Sequence, residues 1–180
     1  FIVGCVVLLG WILDIDTLKS FLPGLITMKA NTASAFLLAS VSLWLLSHEP
    51  ADRSQASLRR RIAQVFALLV ALIGVLSLGE YLLSRDFGID QLLFQEAPGA
   101  VGTSSPGRMA PTTAFNFMLL GCALLFLDLE TSRGRRPAQF LGLTAGIVAY
   151  LALTGYLFNV ASFYRFAALT GMALNTSLTF

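Results

Sequence analysis

Charge is what this sequence has least of. Lys, Arg, Asp and Glu together supply 12% of the 180 residues, whereas 56% are hydrophobic and the mean hydropathy is +0.76. A water-soluble domain of this length needs more charge to cover its surface, so the composition excludes an ordinary soluble protein. The formal net charge is only +2. Because the basic residues form no long stripe with interleaved aromatic residues, a nucleic-acid partner is also excluded.

Cysteine and histidine are almost as scarce. Cys5 and Cys122 each lie within an apolar run and form no CxxC pair, so the sequence predicts neither a disulfide framework nor a thiolate metal site. The single histidine, His48, leaves no histidine pair for haem ligation. A Ser-His-Asp set, a phosphate loop and an HExxH motif are all missing from the sequence. We therefore predict no catalytic site in this stretch and assign no cofactor.

What the sequence does contain is a nine-residue motif that occurs three times, at 28–36, 109–117 and 172–180. Each copy reads Met, two variable residues, Asn or Thr, Thr, a small residue, two variable residues and Phe. A second similarity precedes each copy, where a glycine is followed at once or after one residue by an aromatic side chain. These aromatic residues are Trp11, Tyr81 and Tyr156. Repetition of both segments indicates that one structural unit recurs along the chain.

Apolar segments flank every motif copy. They cover 1–13, 31–46, 62–83, 111–127, 138–158 and a stretch that begins near Ala173. The sequence therefore predicts an all-α integral membrane domain of six transmembrane helices, built from three parallel-repeat helical hairpins. The repeats are 1–46, 62–127 and 138–180. Because the first and last segments are shorter than the ~20 residues that cross a bilayer, we expect the sequence to be part of a longer chain.

The basic residues predict an orientation. Seven of the twelve lie in two segments between the hairpins, 47–61 and 128–137, which we therefore interpret as cytoplasmic loops. The three motif copies would then face the periplasm. Trp11, Tyr81 and Tyr156 would form an aromatic belt at that interface. The segment 16–22 has an acidic start and an apolar face, which favours a short interfacial helix.

Small residues recur at four-residue spacing in two of the predicted spans. Such ridges let helices approach closely, either within one bundle or across a homodimer, and both interpretations stand. The residues are Ala63, Ala67 and Ala71 in one span and Ala138, Gly142 and Gly146 in the other.

Glu80 is the only acidic or basic residue inside an apolar segment, and it lies near the outer end of 62–83. A carboxylate there is a candidate ligand for a cation, a proton or a polar headgroup, because leaving it unpaired in hydrocarbon is costly. The alternative, which we favour, is an ion pair at the interface with Lys29, Arg85 or Arg108.

The motif residues supply the other candidate ligands. Met28, Met109 and Met172 would meet in a pseudo-threefold arrangement, where three thioethers suit Cu(I). Methionine is also a common core residue, and no histidine or cysteine is near, so we favour packing and predict no metal site. Asn31, Thr112 and Asn175, each followed by threonine, are typical helix caps. Three converging helix N-termini would alternatively bind an anion or a polar headgroup.

Several segments resemble the N-terminal membrane region of bacterial sensor histidine kinases and diguanylate cyclases that contain PAS or GAF domains. They are Gly-Trp-Ile-Leu-Asp-Ile at 10–15, Pro-Gly-Leu-Ile-Thr-Met-Lys-Ala-Asn-Thr-Ala at 23–33, Phe-Gly-Ile-Asp-Gln-Leu-Leu-Phe at 87–94 and Pro-Gly-Arg-Met-Ala-Pro-Thr-Thr-Ala at 106–114. The resemblance implies a sensory and anchoring module in the bacterial inner membrane, normally a homodimer, with cytoplasmic signalling domains following in the same chain. It implies no catalytic residue within the 180.

Two other functions fit the same pattern. One is a structural accessory subunit of a larger photosynthetic or respiratory membrane complex. The other is a small-solute transporter, which we rank last because transporters usually have broken helices and polar groups at mid-membrane.

Overall fold

Helices are the only regular elements in the part of the chain that the structure describes, as the sequence predicts. This computed structural model describes residues 1–48, 53–132, 134–165 and 168–180. The helices are α1 (Ile2–Ile12), α2 (Asp16–Ser20), α3 (Ala30–Ser47), α4 (Arg53–Leu83), α5 (Pro111–Leu125), α6 (Pro137–Leu157), α7 (Ala161–Tyr164) and α8 (Leu174–Thr179). Three hairpins pair α1 with α3, α4 with α5 and α6 with α8.

Within the described residues, three helices, rather than the six predicted, are long and apolar enough to cross a membrane. They are α3, the Gln55–Leu83 part of α4, and α6. By contrast, α5 has 15 residues and α1 has 11. At 1.5 Å per residue, α5 is about 22 Å long, short of the ~30 Å hydrocarbon core. It ends at Leu125 and not at residue 127, because Phe126 leaves the helix and closes its last turn through its backbone N–H.

Large apolar side chains cover the outward faces of α4 and α6. Leu143, Ile147 and Tyr150 on α6 are each more than half exposed. Continuous apolar surface of this extent is unusual on a water-soluble monomer and is compatible with contact with a lipid bilayer.

The last residue of each motif copy meets the other two at the centre of the bundle. The ring centroids are 4.8 Å apart for Phe36 and Phe117, 4.9 Å for Phe117 and Phe180, and 4.7 Å for Phe36 and Phe180. The motif helices α3, α5 and α8 therefore share a central contact, and each has its hairpin partner beside it. The three motif copies occupy equivalent positions around this contact.

The segments before the motifs also have equivalent structures. Asp14, Ser84 and Asn159 follow the ends of α1, α4 and α6 and have φ of 55°, 50° and 56°. A single left-handed residue is a common way to end a helix. At Gly10 and Gly155 an added Cβ would lie 2.7 Å from the Cβ of the residue eight positions later. The repeated glycine is therefore needed because the connector folds back against its own helix.

The two basic segments differ from the predicted loops. Helix α4 begins at Arg53, so Arg59, Arg60 and Arg61 form part of a helix that extends beyond the apolar span. Residues 49–52 and Arg133, which belong to the predicted loops, lie outside the described residues. In the first connector, α2 ends at Ser20 and not at residue 22, because Phe21 takes a left-handed conformation with φ 64°.

The two small-residue ridges have different surroundings. Ala63, Ala67 and Ala71 are buried, and a Cβ added to Gly121 of α5 would lie 2.5 Å from the Ala71 nitrogen and 2.7 Å from the Ala67 oxygen. This ridge therefore packs within the hairpin and not across a dimer. In the α6 ridge, Ala138 is buried, whereas Gly142 and Gly146 have no atom within 4 Å of an added Cβ.

Candidate functional site at the motif end of the bundle

Each motif is tied to the preceding helix of its own hairpin by the same hydrogen bond. The carbonyl oxygen of the motif methionine accepts it, and the repeated aromatic side chain donates it. The pairs are Trp11 Nε1 to Met28 at 3.0 Å, Tyr81 Oη to Met109 at 2.8 Å and Tyr156 Oη to Met172 at 2.8 Å. All three aromatic residues are half-buried. Their observed role is to hold the motifs in place, which the prediction of an interfacial belt had not included.

The three methionines are buried but do not share one site. Met28 and Met109 belong to the main core and line the same small cavity. Met172 instead packs with Ala110 and Ala152. The arrangement therefore gives no geometric support to a three-thioether copper site and agrees with the alternative of core packing.

Asn31, Thr112 and Asn175 are not helix N-caps. The N-cap residues are Lys29, Ala110 and Ala173, none of which makes a side-chain cap hydrogen bond. Each predicted cap is the second residue of its helix. Even so, the Asn31 Oδ1 atom accepts from the Thr32 N–H at 2.7 Å, and Asn175 Oδ1 accepts from the Thr176 N–H at 3.1 Å. Both asparagines thus satisfy one free N–H of a first helical turn.

The motif threonines meet at a cavity on the bundle axis. Thr32, Thr113 and Thr176 are all buried and line a space of ≈ 10 Å³. That volume holds roughly one water molecule. A lipid headgroup needs far more room than this cavity provides, whereas anion binding at these helix N-termini stays a prediction.

A buried ion pair joins the first motif to the long connector between α4 and α5. Lys29 Nζ lies 2.6 Å from Glu96 Oε1 and 2.7 Å from Oε2, and it also donates to Thr103 Oγ1 at 2.7 Å. Glu96 Oε2 accepts a further hydrogen bond from the Gly107 N–H at 2.7 Å. Burial lowers the pKa of the Lys29 ammonium, and the Glu96 carboxylate opposes this effect. Sequence reasoning did not single out Glu96, because its partner is 67 positions away.

Glu80 is completely buried at the end of α4. Its Oε1 atom accepts a hydrogen bond from the Phe87 N–H at 2.9 Å, and its Oε2 atom lies 3.4 Å from Arg108 Nε. The ion pair expected for Glu80 is therefore present, with Arg108 as the partner. It lies inside the protein, however, and not at an exposed interface.

Arg108 also binds a second carboxylate that the sequence did not reveal. Its Nε atom lies 2.6 Å from Asp90 Oδ2. A carboxylate oxygen from each of Glu80, Asp86 and Asp90 lies within 4.8 Å of the other two. Burial, with a further contribution from Glu80, raises the pKa of Asp90 to about 7 although Arg108 opposes the change. Two acidic side chains therefore compete for one guanidinium.

This acidic cluster borders an open cavity of ≈ 530 Å³. Ser84, Arg85, Gln91 and Ser104 line it beside the acidic residues and Arg108. A second cavity, of ≈ 630 Å³, lies between the first connector and the long connector and is lined by Trp11, Lys19 and Glu96, among others. Of the predicted ligand residues, Glu80 and Tyr81 line the first cavity and Trp11 lines the second.

Comparison with known proteins adds no family to this description, because no family model, no curated protein and no solved structure matches the chain.

Proposed function

We propose that this chain is the membrane-embedded sensory and anchoring module of a bacterial signal-transduction receptor of the histidine kinase type. The observation that carries the proposal is the concentration of buried charge at one end of an otherwise apolar bundle. Lys29, Glu96, Glu80, Asp90 and Arg108 lie together there, beneath the connectors and beside two cavities. Buried charge at the end of apolar helices is costly to retain, which makes it a candidate for function and not for stability.

The outer faces of the bundle support the anchoring part of the proposal. Three of the described helices are long and apolar enough to span a membrane, and large apolar side chains are exposed on their outward faces. In the proposed orientation the motif end faces the periplasm and the basic ends of the hairpins face the cytoplasm of a bacterial inner membrane, following the positive-inside rule.

A route from the connectors to the motif helices supports the sensory part. Asn175 Nδ2 donates to the Lys19 carbonyl oxygen at 2.8 Å, which links α8 to the first connector. The hydrogen bonds to the methionine carbonyls link each motif to its neighbouring helix. Ligand binding at the connectors would shift α8, the last helix, and bias a two-state element in signalling domains that follow in the same chain. A receptor of this type works as a homodimer.

The test is made on the complete protein isolated from its native membrane. Its intact mass is measured, and autophosphorylation or cyclic-dinucleotide synthesis is recorded for the wild type and the Glu80→Gln variant. We expect a chain several hundred residues longer than 180 and a changed output in the variant. The matched control is Leu143→Ala on the exposed face of α6, which should leave output unchanged. A chain that ends soon after α8, or equal output in wild type and Glu80→Gln, refutes the receptor.

One observation favours a second candidate, a structural accessory subunit of a larger photosynthetic or respiratory membrane complex. Gly142 and Gly146 leave open space on a helix whose outward face also carries the apolar side chains of Leu143 and Ile147. A partner helix can pack closely against such a face. Stable co-purification of a short native chain with a large membrane complex would establish this function in place of the receptor.

A further inference from the structure

We propose that Glu80, Asp86 and Asp90 bind a divalent cation of the calcium type. The acidic cluster alone would not justify a site, since such clusters often serve only as solvated surface. Two further observations on the buried members of the cluster point to a ligand.

The first observation is that the two buried carboxylates each have one oxygen without a hydrogen-bond partner. Among the described residues, Glu80 Oε2 and Asp90 Oδ1 are buried atoms without a hydrogen-bond partner, and Glu80 Oε2 has only its ionic contact of 3.4 Å with Arg108 Nε. The other oxygen of each carboxylate is occupied: Phe87 N–H donates to Glu80 Oε1, and Arg108 to Asp90 Oδ2. The side chains are 0% and 5% exposed. A buried oxygen left without a partner is costly, so a bound cation would remove this penalty.

The second observation is the spacing of the oxygens. Oxygens that share one Ca²⁺ at 2.3–2.6 Å lie at most about 4.6–5.2 Å apart, whereas the limit for Mg²⁺ at 2.0–2.1 Å is about 4.2 Å. The three carboxylate oxygens here lie within 4.8 Å of one another. Each pair of these oxygens is therefore close enough to share one calcium ion. Magnesium demands near-ideal octahedral geometry and gives up its bound waters reluctantly, so a site lined by several protein oxygens favours calcium.

Charge and access agree with this assignment. With all three carboxylates ionised, they and the Arg108 guanidinium carry a formal charge of −2, or −1 if the exposed Arg85 is included. Asp86 is exposed and faces the cavity of ≈ 530 Å³, which gives the ion a path from solvent. Ser84, Gln91 and Ser104 on the cavity wall offer neutral oxygens, and water would complete the six to eight ligands that calcium takes.

Cation binding stands apart from the proposed receptor role, and only its signalling consequence rests on that role. The test is therefore made first on binding. The full chain in detergent, stripped of metal with a chelator, is titrated with CaCl₂ and separately with MgCl₂ by isothermal titration calorimetry. We expect saturable binding of one Ca²⁺ per chain and at least tenfold weaker binding of Mg²⁺.

Asp86→Asn is the informative variant, because it removes one carboxylate from the cluster without changing a buried side chain. It should weaken Ca²⁺ binding at least tenfold. Glu80→Gln should abolish binding, and folding of this variant is checked by circular dichroism. Asp128→Asn, an exposed acid outside the cluster, is the matched control and should bind as the wild type does. Absence of saturable binding to the wild type, or equal affinity in wild type and Asp86→Asn, overturns the proposal. Calcium binding without any effect on output would overturn the receptor and leave the cation site intact.

Discussion

Replacing Glu96 by glutamine should destabilise the protein strongly, because it leaves the Lys29 ammonium buried without a counter-charge. The two side chains are only 2% and 7% exposed, and their closest atoms are 2.6 Å apart. Removing one member of a buried pair typically costs about 3–5 kcal/mol. Thr103 Oγ1 accepts a hydrogen bond from Lys29, and the Gly107 N–H donates one to the side chain at position 96, but neither neutralises charge and neither can compensate. We expect a loss of this size in the free energy of unfolding of Glu96→Gln.

The double variant Lys29→Met/Glu96→Gln separates the ion pair from the packing around it. With no buried charge left, its loss of stability should be smaller than the sum of the two single losses, by about 0.5–3 kcal/mol. The exposed pair Arg60–Asp128 is the control. Arg60 Nη2 lies 2.9 Å from Asp128 Oδ2, but the two side chains are 58% and 55% exposed. Asp128→Asn should therefore cost at most about 1 kcal/mol.

The assay is reversible unfolding in mixed detergent micelles, followed by circular dichroism at a fixed pH of 7. Each variant is compared with the wild type at the same protein and detergent concentrations, because both affect the apparent stability of a membrane protein. Two outcomes would show that Glu96 does not stabilise the protein by neutralising Lys29. One is a loss of stability in Glu96→Gln no larger than in Asp128→Asn. The other is simple addition of the two single losses in the double variant.

Two further predictions concern packing and pH. Gly121→Ala should lower the free energy of unfolding by about 1–3 kcal/mol, because its Cβ meets the backbone of α4. Gly146→Ala, with open space around it, should be neutral or stabilising by up to about 1 kcal/mol, and equal effects in thermal unfolding would contradict this account. Asp90 titrates near 3.8 when unfolded and about 7 when folded, beside Glu80 and Arg108. Its stabilising contribution is therefore complete below pH 3.8 and is lost as the pH rises to 7. Unfolding measured in chelator from pH 4 to 7 should show a smaller decline in Asp90→Asn, and identical profiles would exclude this titration.

The helical hairpins follow from patterns that are local in the sequence. The glycine and aromatic residue before each motif specify a helix end, a fold-back and a hydrogen bond to the next segment, and all three lie within about 30 residues of one another. This pattern could be recognised as a structural unit because it occurs three times, whereas a single copy would not have indicated one. The pairing of Glu80 with Arg108 was also accessible, because an acid inside an apolar segment must find one of few available cations.

The polar centre itself could not be predicted to the same degree. Asp90 and Glu96 lie in an irregular connector with no periodic pattern, and only the folded chain brings them to Arg108 and Lys29. The predicted N-caps lie two residues too late at all three motifs. The true N-cap residues are extended and make no side-chain cap hydrogen bond, so their side chains gave no signal in the sequence. The predicted end of α5 was two residues too late, because hydrophobicity continues past Leu125 whereas backbone hydrogen bonding does not.

The three phenylalanines at the bundle centre have a mechanical consequence. In a row of three rings, removing an end ring breaks one contact out of two. In a closed triangle, displacing any ring breaks two contacts out of three, at about 0.5–1.5 kcal/mol each. With edges of 4.7, 4.8 and 4.9 Å, no ring is the weak member. A tilt of α3, α5 or α8 therefore disturbs ring contacts with both other helices at once. The three hairpins are expected to move together and not independently.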